Sequence, residues 1–291
     1  MKKFFLAVIA MMMTVSVSAQ FYIYLSNGEV LKADSISIPF RGALNGLFTI
    51  NSDGGKISFS QGNLQYQAST DTWRFAEHQY DRIGNANSNI SAAYTGWIDL
   101  FGWGTGSNPT NTSTNSTDYP TFTDWGVNAI SNGGNKANAW RTLTDSEWKY
   151  LFYGRTNAAT LFGFGKVNGV AGLIILPDNW TLPAGASFVA STTQGLENKG
   201  TYYRNSTPDN YSHNTYTAEQ WAVMESAGAV FLPAAGDRSG TDVNDVDAAA
   251  LYWSVTPDGT SLAITILFNS RDLNPQRSFE RYYAESVRLV R

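Results

Sequence analysis

The sequence predicts an α+β fold, a mainly antiparallel β protein with two helices set into it. Three observations carry that prediction. Apolar residues alternate in short runs broken by turn residues, among them Asn27-Gly28 and Asp53-Gly54-Gly55. That is the pattern of strands paired in hairpins. Thr144-Asp-Ser-Glu147 and Thr217-Ala-Glu-Gln220 each match a capping box, in which a threonine and the residue three positions on satisfy the free donors that open a helix. Each of these helix signals precedes one short apolar run, Gly172 to Asp178 and Gly228 to Gly236. Two helices scattered among strands make an α+β and not an α/β protein.

Taken in order, residues 1–19 read as a secretory signal peptide. Lys2 and Lys3 form its positive region, Phe4 to Val15 its apolar region, and Val17-Ser-Ala19 a small-residue cleavage site before Gln20. The apolar run is short for a bilayer span, and no later stretch reaches the ~20 apolar residues of a transmembrane helix. The mature chain is therefore expected to be exported, to the periplasm, the cell surface or beyond. Residues 20–45 read as a β-hairpin arm around Asn27-Gly28, with a further short strand over Ala33 to Phe40. Residues 46–291 form the main domain.

Within that domain Leu47 to Ile50 and Lys56 to Tyr66 alternate as strands. Thr105 to Thr121 is a surface loop of Asn, Ser, Thr and Pro. Trp148, Leu151 and Phe152 mark the buried stripe of the first helix, and Trp221, Met224 and Ala227 that of the second. The two apolar runs that follow the helices end at Pro177 and Pro233, as edge strands or sharp exits would.

Composition excludes several function classes. Charged residues make up 15% of the chain and the formal net charge is −4, which offers no basic face for nucleic acid. There is no cysteine, so disulfides, thiolate metal sites and a cysteine nucleophile are absent. His78 and His213 are far apart and have no ligand partners at metal spacing. Asp242-Val-Asn-Asp-Val-Asp247 resembles a calcium loop only faintly, because its fifth, sixth and twelfth positions carry the wrong residues. No phosphate-binding glycine loop or nucleophile elbow is present. The chain is expected to be neither an enzyme nor a holder of a metal or cofactor.

One feature remains. From Gly236 to Arg291 regular punctuation (Trp253, Pro257-Asp-Gly259, Asn274-Pro275) frames side chains that fit neither a helical nor a strand period. An irregular face on a regular scaffold points to binding.

Several segments also resemble a known family when taken as an ordered set. They are Gly62-Asn-Leu-Gln-Tyr, Gly96-Trp-Ile-Asp-Leu-Phe-Gly-Trp-Gly, Trp140-Arg-Thr-Leu-Thr-Asp-Ser-Glu-Trp, Leu173-Ile-Ile-Leu-Pro-Asp-Asn-Trp, Phe231-Leu-Pro-Ala-Ala-Gly, Tyr252-Trp-Ser and Ser286-Val-Arg-Leu-Val-Arg. The chain resembles secreted proteins of Bacteroides-type bacteria with a C-type-lectin-like fold. It is similar to the variable proteins of diversity-generating retroelements and, more distantly, to the formylglycine-generating enzymes. That enzyme chemistry needs cysteine, which this chain lacks. The Glu-Pro-Asn, Gln-Pro-Asp and Trp-Asn-Asp signatures of calcium-dependent lectins are also missing.

The resemblance implies a fixed scaffold displaying variable C-terminal residues. The displayed positions would be Val255, Asp258, Ser261, Leu262, Ile264, Thr265, Leu267, Arg271, Asp272, Arg277, Ser278, Phe279, Glu280, Tyr283, Ala284 and Glu285, with Asp237 and Ser239 as weaker matches. Trp253, Phe268, Pro275, Arg281, Val287 and Leu289 would be fixed. Of the displayed set, Glu280 and Glu285 cannot arise from an Asn codon by adenine changes alone. A protein or other surface ligand is the expected partner, with a glycan as a further possibility. The alternatives are a structural or adhesive envelope component, and a carbohydrate-binding protein that uses Trp97 and Trp103 as a stacking platform. Large aromatics beside glycines more often pack a core.

Overall fold

The computed structural model describes the backbone of residues 21–24, 30–33, 41–191, 203–204 and 210–291, and the side chains of 41–191 and 211–291. The signal peptide, the Asn27-Gly28 turn and the strand expected after Ala33 lie outside the described residues. The chain divides into two units, Met1–Pro39 and Phe40–Arg291. In the first, β1 (Phe21–Tyr24) and β2 (Val30–Ala33) pair antiparallel, with Phe21 opposite Ala33 and Tyr24 opposite Val30. The boundary falls before the position 45/46 expected from the sequence. The reason is local: Ala43 bridges Ser60 and Gln61 N donates to Gly42 O, so residues 42 and 43 already belong to the second unit.

The second unit opens with a small hairpin, β3 (Phe48–Thr49) and β4 (Lys56–Ile57), closed when Gly55 N donates to Asn51 Oδ1 at 2.8 Å. The strand expected from Lys56 to Tyr66 is interrupted, because the chain there changes partner. Ser58 N, Ser60 N and Leu64 N donate in turn to the carbonyls of Arg291, Leu289 and Val287. Arg141 and Val290 exchange both backbone bonds on the other side of that tail. The last residues of the chain are thus held between two segments that both precede them by well over a hundred positions. Next come β5 (Leu64–Gln67), β6 (Thr72–Phe75) and β7 (Leu100–Gly102).

Both capping boxes form. Thr144 Oγ1 accepts from Glu147 N while Glu147 accepts from Thr144 N, opening α1 (Asp145–Lys149). The helix then widens into a π-turn over Tyr150–Gly154. Trp148, Leu151 and Phe152 are buried as expected, in a core shared with Phe48, Phe59, Tyr252 and Ile266. A four-stranded sheet follows, built from β8 (Phe162–Val167), β9 (Val170–Ile175), β11 (Thr215–Tyr216) and β12 (Val230–Pro233) in the order β11-β8-β9-β12. Between β9 and β11 the chain contributes β10 (Tyr203–Arg204) to the larger sheet. Helix α2 (Ala218–Ser226) starts at the Thr217 capping box and buries Trp221 and Met224. Ala227, expected on the same stripe, is exposed, because the helix ends at Ser226 and the chain turns away at Gly228 (φ 98°). Of the two strands expected to lie at an edge or to exit sharply at a proline, β12 lies at the sheet edge, whereas β9 runs between β8 and β12 and ends at Ile175, just before Pro177.

The larger sheet contains β13 (Asp237–Ser239), β14 (Asp242–Asn244), β15 (Ala249–Asp258), β16 (Leu262–Asn269), β17 (Asp272–Glu280) and β18 (Ala284–Ser286). Its order is β10-β17-β16-β15-β18-β13-β14, with β7 also paired to β18. All its pairings are antiparallel except β15 with β18. One face packs on α1. The other covers an aromatic core of Trp73, Phe75, Phe101, Trp103, Trp125, Trp140 and Trp253. The molecule is α+β, with more sheet than helix.

Candidate binding surface

The irregular C-terminal pattern has a geometric cause. Along β15 and β16 the register runs Trp253 to Thr265 and then jumps to Pro257 opposite Ala263. Along β16 and β17 it runs Thr265 to Arg277 and then Leu267 to Asn274. Both flanking strands therefore bulge at the same level. The β15 bulge inserts two residues and the β17 bulge one, so both ladders are interrupted and the alternation of faces shifts along β17. On β16, which itself carries no bulge, Thr265 and Ile266 point to opposite faces. Both are buried because both faces of the strand are covered, by the Trp253 core on one side and the Tyr252–Phe268 core on the other.

The bulges are pinned from outside the sheet. Asp145, the first residue of α1, accepts from Thr256 Oγ1 at 3.0 Å and from Gln276 Nε2 at 2.9 Å, and Asp145 N donates to Thr256 Oγ1 at 3.1 Å. Thr256 lies in one bulge and Gln276 in the other. Neither residue carries a motif, so sequence gave no sign of this latch. Beyond the bulges, Asp258, Leu262 and Glu280 lie side by side across three strands, with Ile264 and Ser278 on the same face. Ser278 Oγ donates to Asp258 at 2.6 Å, tying β17 to β15 across the strand between them.

The candidate residues separate by exposure. Asp258, Ser261, Arg271 and Arg277 are exposed, and Val255, Leu262, Ile264, Leu267, Asp272, Ser278, Phe279, Glu280 and Tyr283 are half-buried. Thr265, Ala284 and Glu285 are fully buried and cannot be displayed. Thr265 lies between Trp253 and Arg277 with its hydroxyl hydrogen-bonded to Tyr252 O and Glu285, and Ala284 and Glu285 lie on β18, covered by β7, β13 and β15. Of the weaker matches, Asp237 is buried and Ser239 is half-buried. Trp253, Phe268, Pro275, Arg281, Val287 and Leu289 are all buried.

Phe279 is not a free anchor. It pairs with Ala263 and packs on the second core, and its ring meets Tyr283 edge-on at 4.8 Å. Tyr282, which the sequence did not single out, stacks on Tyr283 at 4.7 Å, and burial together with hydrogen bonding to Tyr283 raises its pKa. Arg281 fixes the base of this region. Its guanidinium lies 4.2 Å from the Trp103 ring and donates to the carbonyls of Leu262, Gly259, Tyr119 and Pro120.

Beneath the surface lies a carboxyl group in an apolar setting. Glu285 Oε2 accepts from Thr265 Oγ1 at 2.5 Å, while Oε1 has no hydrogen-bond partner among the described residues. Burial, with the charge of Asp237 adding to it, pushes the Glu285 carboxyl well above the usual range, against the opposing Thr265 bond. Burial also raises Asp237 to about 6. Asp99, wholly enclosed, is raised to about 6 by burial despite bonds from Ile83 N and Asn87.

The tryptophan platform is divided. Trp103 is buried and its indole donates to Ser254 O at 3.1 Å. Trp97 is half-buried beneath Arg74, whose guanidinium sits 3.8 Å from the ring. The two cannot form one exposed stacking surface. His78 and His213 are both exposed, and His78 stacks on Tyr80. Among the described residues no cluster of His, Asp or Glu has the makings of a metal site, and no helix is long and apolar enough to cross a membrane. No family model matches the chain, and no curated protein or solved structure matches it either.

Proposed function

We propose that this is an exported ligand-binding protein with a C-type-lectin-like scaffold, and that its binding surface is the tip of β15, β16 and β17. One observation carries the reading. Leu262 and Ile264 are half-exposed on one face, flanked by Asp258, Ser278 and Glu280 and held on a framework that is buried and cross-linked. Apolar centres with polar rims are the composition of protein-recognition patches. A rigid base lowers the ordering cost that binding must meet.

The direct test is a Leu262→Thr/Ile264→Thr double variant, which places β-branched residues, favoured in strands, at both positions. Labelled wild-type protein should bind to envelope or host-cell surfaces in a saturable way, and the double variant should lose that binding at an unchanged melting temperature. Equal binding by both would place the site elsewhere. The retroelement resemblance has its own test. A near-copy of the last part of the gene, differing at adenines beside a reverse transcriptase, would support diversification. The bulges supply a geometric cause for the irregular pattern, so pattern alone does not carry that claim.

A further inference from the structure

A second cleft, of about 410 Å³, lies away from the display strands, lined by the β3–β4 hairpin, the π-turn and the residues following it, and the loop after β9. Its size falls in the range of small-molecule sites, roughly 300 to 1,000 Å³. The floor is built. Asp178 accepts from Thr49 N at 2.9 Å and Thr49 Oγ1 at 2.6 Å, and lies 3.5 Å from Arg155 and 3.6 Å from Lys56. Burial alone would raise the Asp178 carboxyl, yet the Thr49 bonds and the two cations hold it below its usual range. Arg155, with its side chain 1% exposed, spends its remaining donors on the carbonyls of Leu151, Leu176 and Leu161. It fixes the floor and offers little to a ligand.

The walls are different. Tyr150, Thr156, Asn157 and Asn179 line the cleft, and none of their side chains has a hydrogen-bond partner among the described residues. Asn157 is held in the left-handed region (φ 58°), and Tyr150 opens the π-turn. Interruptions of this kind recur at functional sites. Ligand pockets are usually mostly apolar. This one presents two carboxamides, two hydroxyl groups and a fixed carboxylate around a single aromatic ring. A ligand gains here only by exchanging water for matched hydrogen bonds, so it must carry several hydroxyl groups. Asp178 lies between Lys56 and Arg155, and Arg155 is sealed under carbonyls, so the single net positive charge of the lining gives no strong field to favour a phosphate-rich ligand.

We propose that this cleft binds a neutral monosaccharide unit. Asp178 accepts from its hydroxyl groups, Asn157 and Asn179 pair with neighbouring ones, and Tyr150 meets the apolar face of the ring. The site is independent of the β15–β17 surface.

The test is saturation-transfer NMR on the exported chain with glucose, galactose, mannose, N-acetylglucosamine, fucose and glucuronate. At least one neutral sugar should show saturable transfer. Thr156→Val and Asn179→Ala should each weaken it about fivefold, the worth of one hydrogen bond, without lowering the melting temperature. The Leu262→Thr/Ile264→Thr variant should bind the sugar normally. The proposal fails if no neutral sugar shows saturable transfer. It fails equally if binding survives in the Thr156→Val/Asn179→Ala double variant, or is lost in the Leu262→Thr/Ile264→Thr variant. Binding of glucuronate alone, abolished by Lys56→Met, would overturn the neutral-sugar assignment.

Discussion

Buried guanidinium groups are used in this protein as cross-links between backbones. Arg155 joins three carbonyls, Arg281 joins four, and Arg238 joins those of Gly240 and Leu100. A planar fork of donors can satisfy several loop carbonyls at once, which a lysine ammonium cannot do with the same geometry. Arg281→Lys should therefore destabilise the protein by ~2 kcal/mol or more, since buried acceptors are left unpaired. A thermal melt within a degree of wild type would show that the carbonyls find other partners. Glu285 makes the opposite case. A buried carboxyl whose folded pKa lies above its unfolded value, ~4.3, binds more protons in the native state. Its effect is absent at acid pH, and stability falls as pH rises through and above the unfolded value. Above both pKa values each unit of elevation costs about 1.4 kcal/mol. Glu285→Gln keeps the shape and removes the ionisation, so its advantage in melting temperature should grow between pH 4 and pH 8. Parallel curves for the two proteins would show that Glu285 is not the group responsible.

At the scale of elements, the caps and the bulges differ in how they can be read. Thr144 and Thr217 carry their signal in four consecutive residues, and both helices begin where that signal stands. Thr144→Ala and Thr217→Ala should each cost about 1 kcal/mol, measured by denaturant unfolding. A loss below a few tenths would mean that tertiary packing alone sets those helix starts. The β15 and β17 bulges carry no such local signal, because a bulge is a relation between strands. Their common anchor, Asp145, is adjacent to the Thr144 cap in sequence yet reaches Thr256 and Gln276 more than a hundred positions away. Asp145→Ala should leave α1 in place and speed amide exchange selectively in residues 255–264 and 274–280. Exchange that rises evenly along the whole chain would indicate a global loss of stability instead of a local release.

At the scale of the whole molecule, the C-terminal tail acts as an interior strut. Residues 287–291 run between segments around positions 58–64 and 141, so the chain leaving β18 is joined both to the first hairpins of the domain and to the segment just before α1. The proposed binding tip and the polar cleft share this frame but no lining residue. Substitutions at Leu262 and Ile264 and substitutions at Thr156 and Asn179 should therefore be additive in the free energy of unfolding, to within about 0.5 kcal/mol. A larger coupling would show that the two regions report on one another through the sheet.

The sequence by itself determined the α+β class, the two capped helices and the core stripes at Trp148 and Trp221. Each of these depends on periodicity or on a motif spanning a few residues, and such signals survive without knowledge of partners. The tertiary structure decided which candidate side chains face water. Thr265, Ala284 and Glu285 look like their neighbours on paper and are buried because of register and strand order. It also brought Thr49, Lys56, Arg155 and Asp178 together from distant segments. Both results follow from pairings between residues far apart in sequence, and long-range register is the part of a fold that local pattern does not encode.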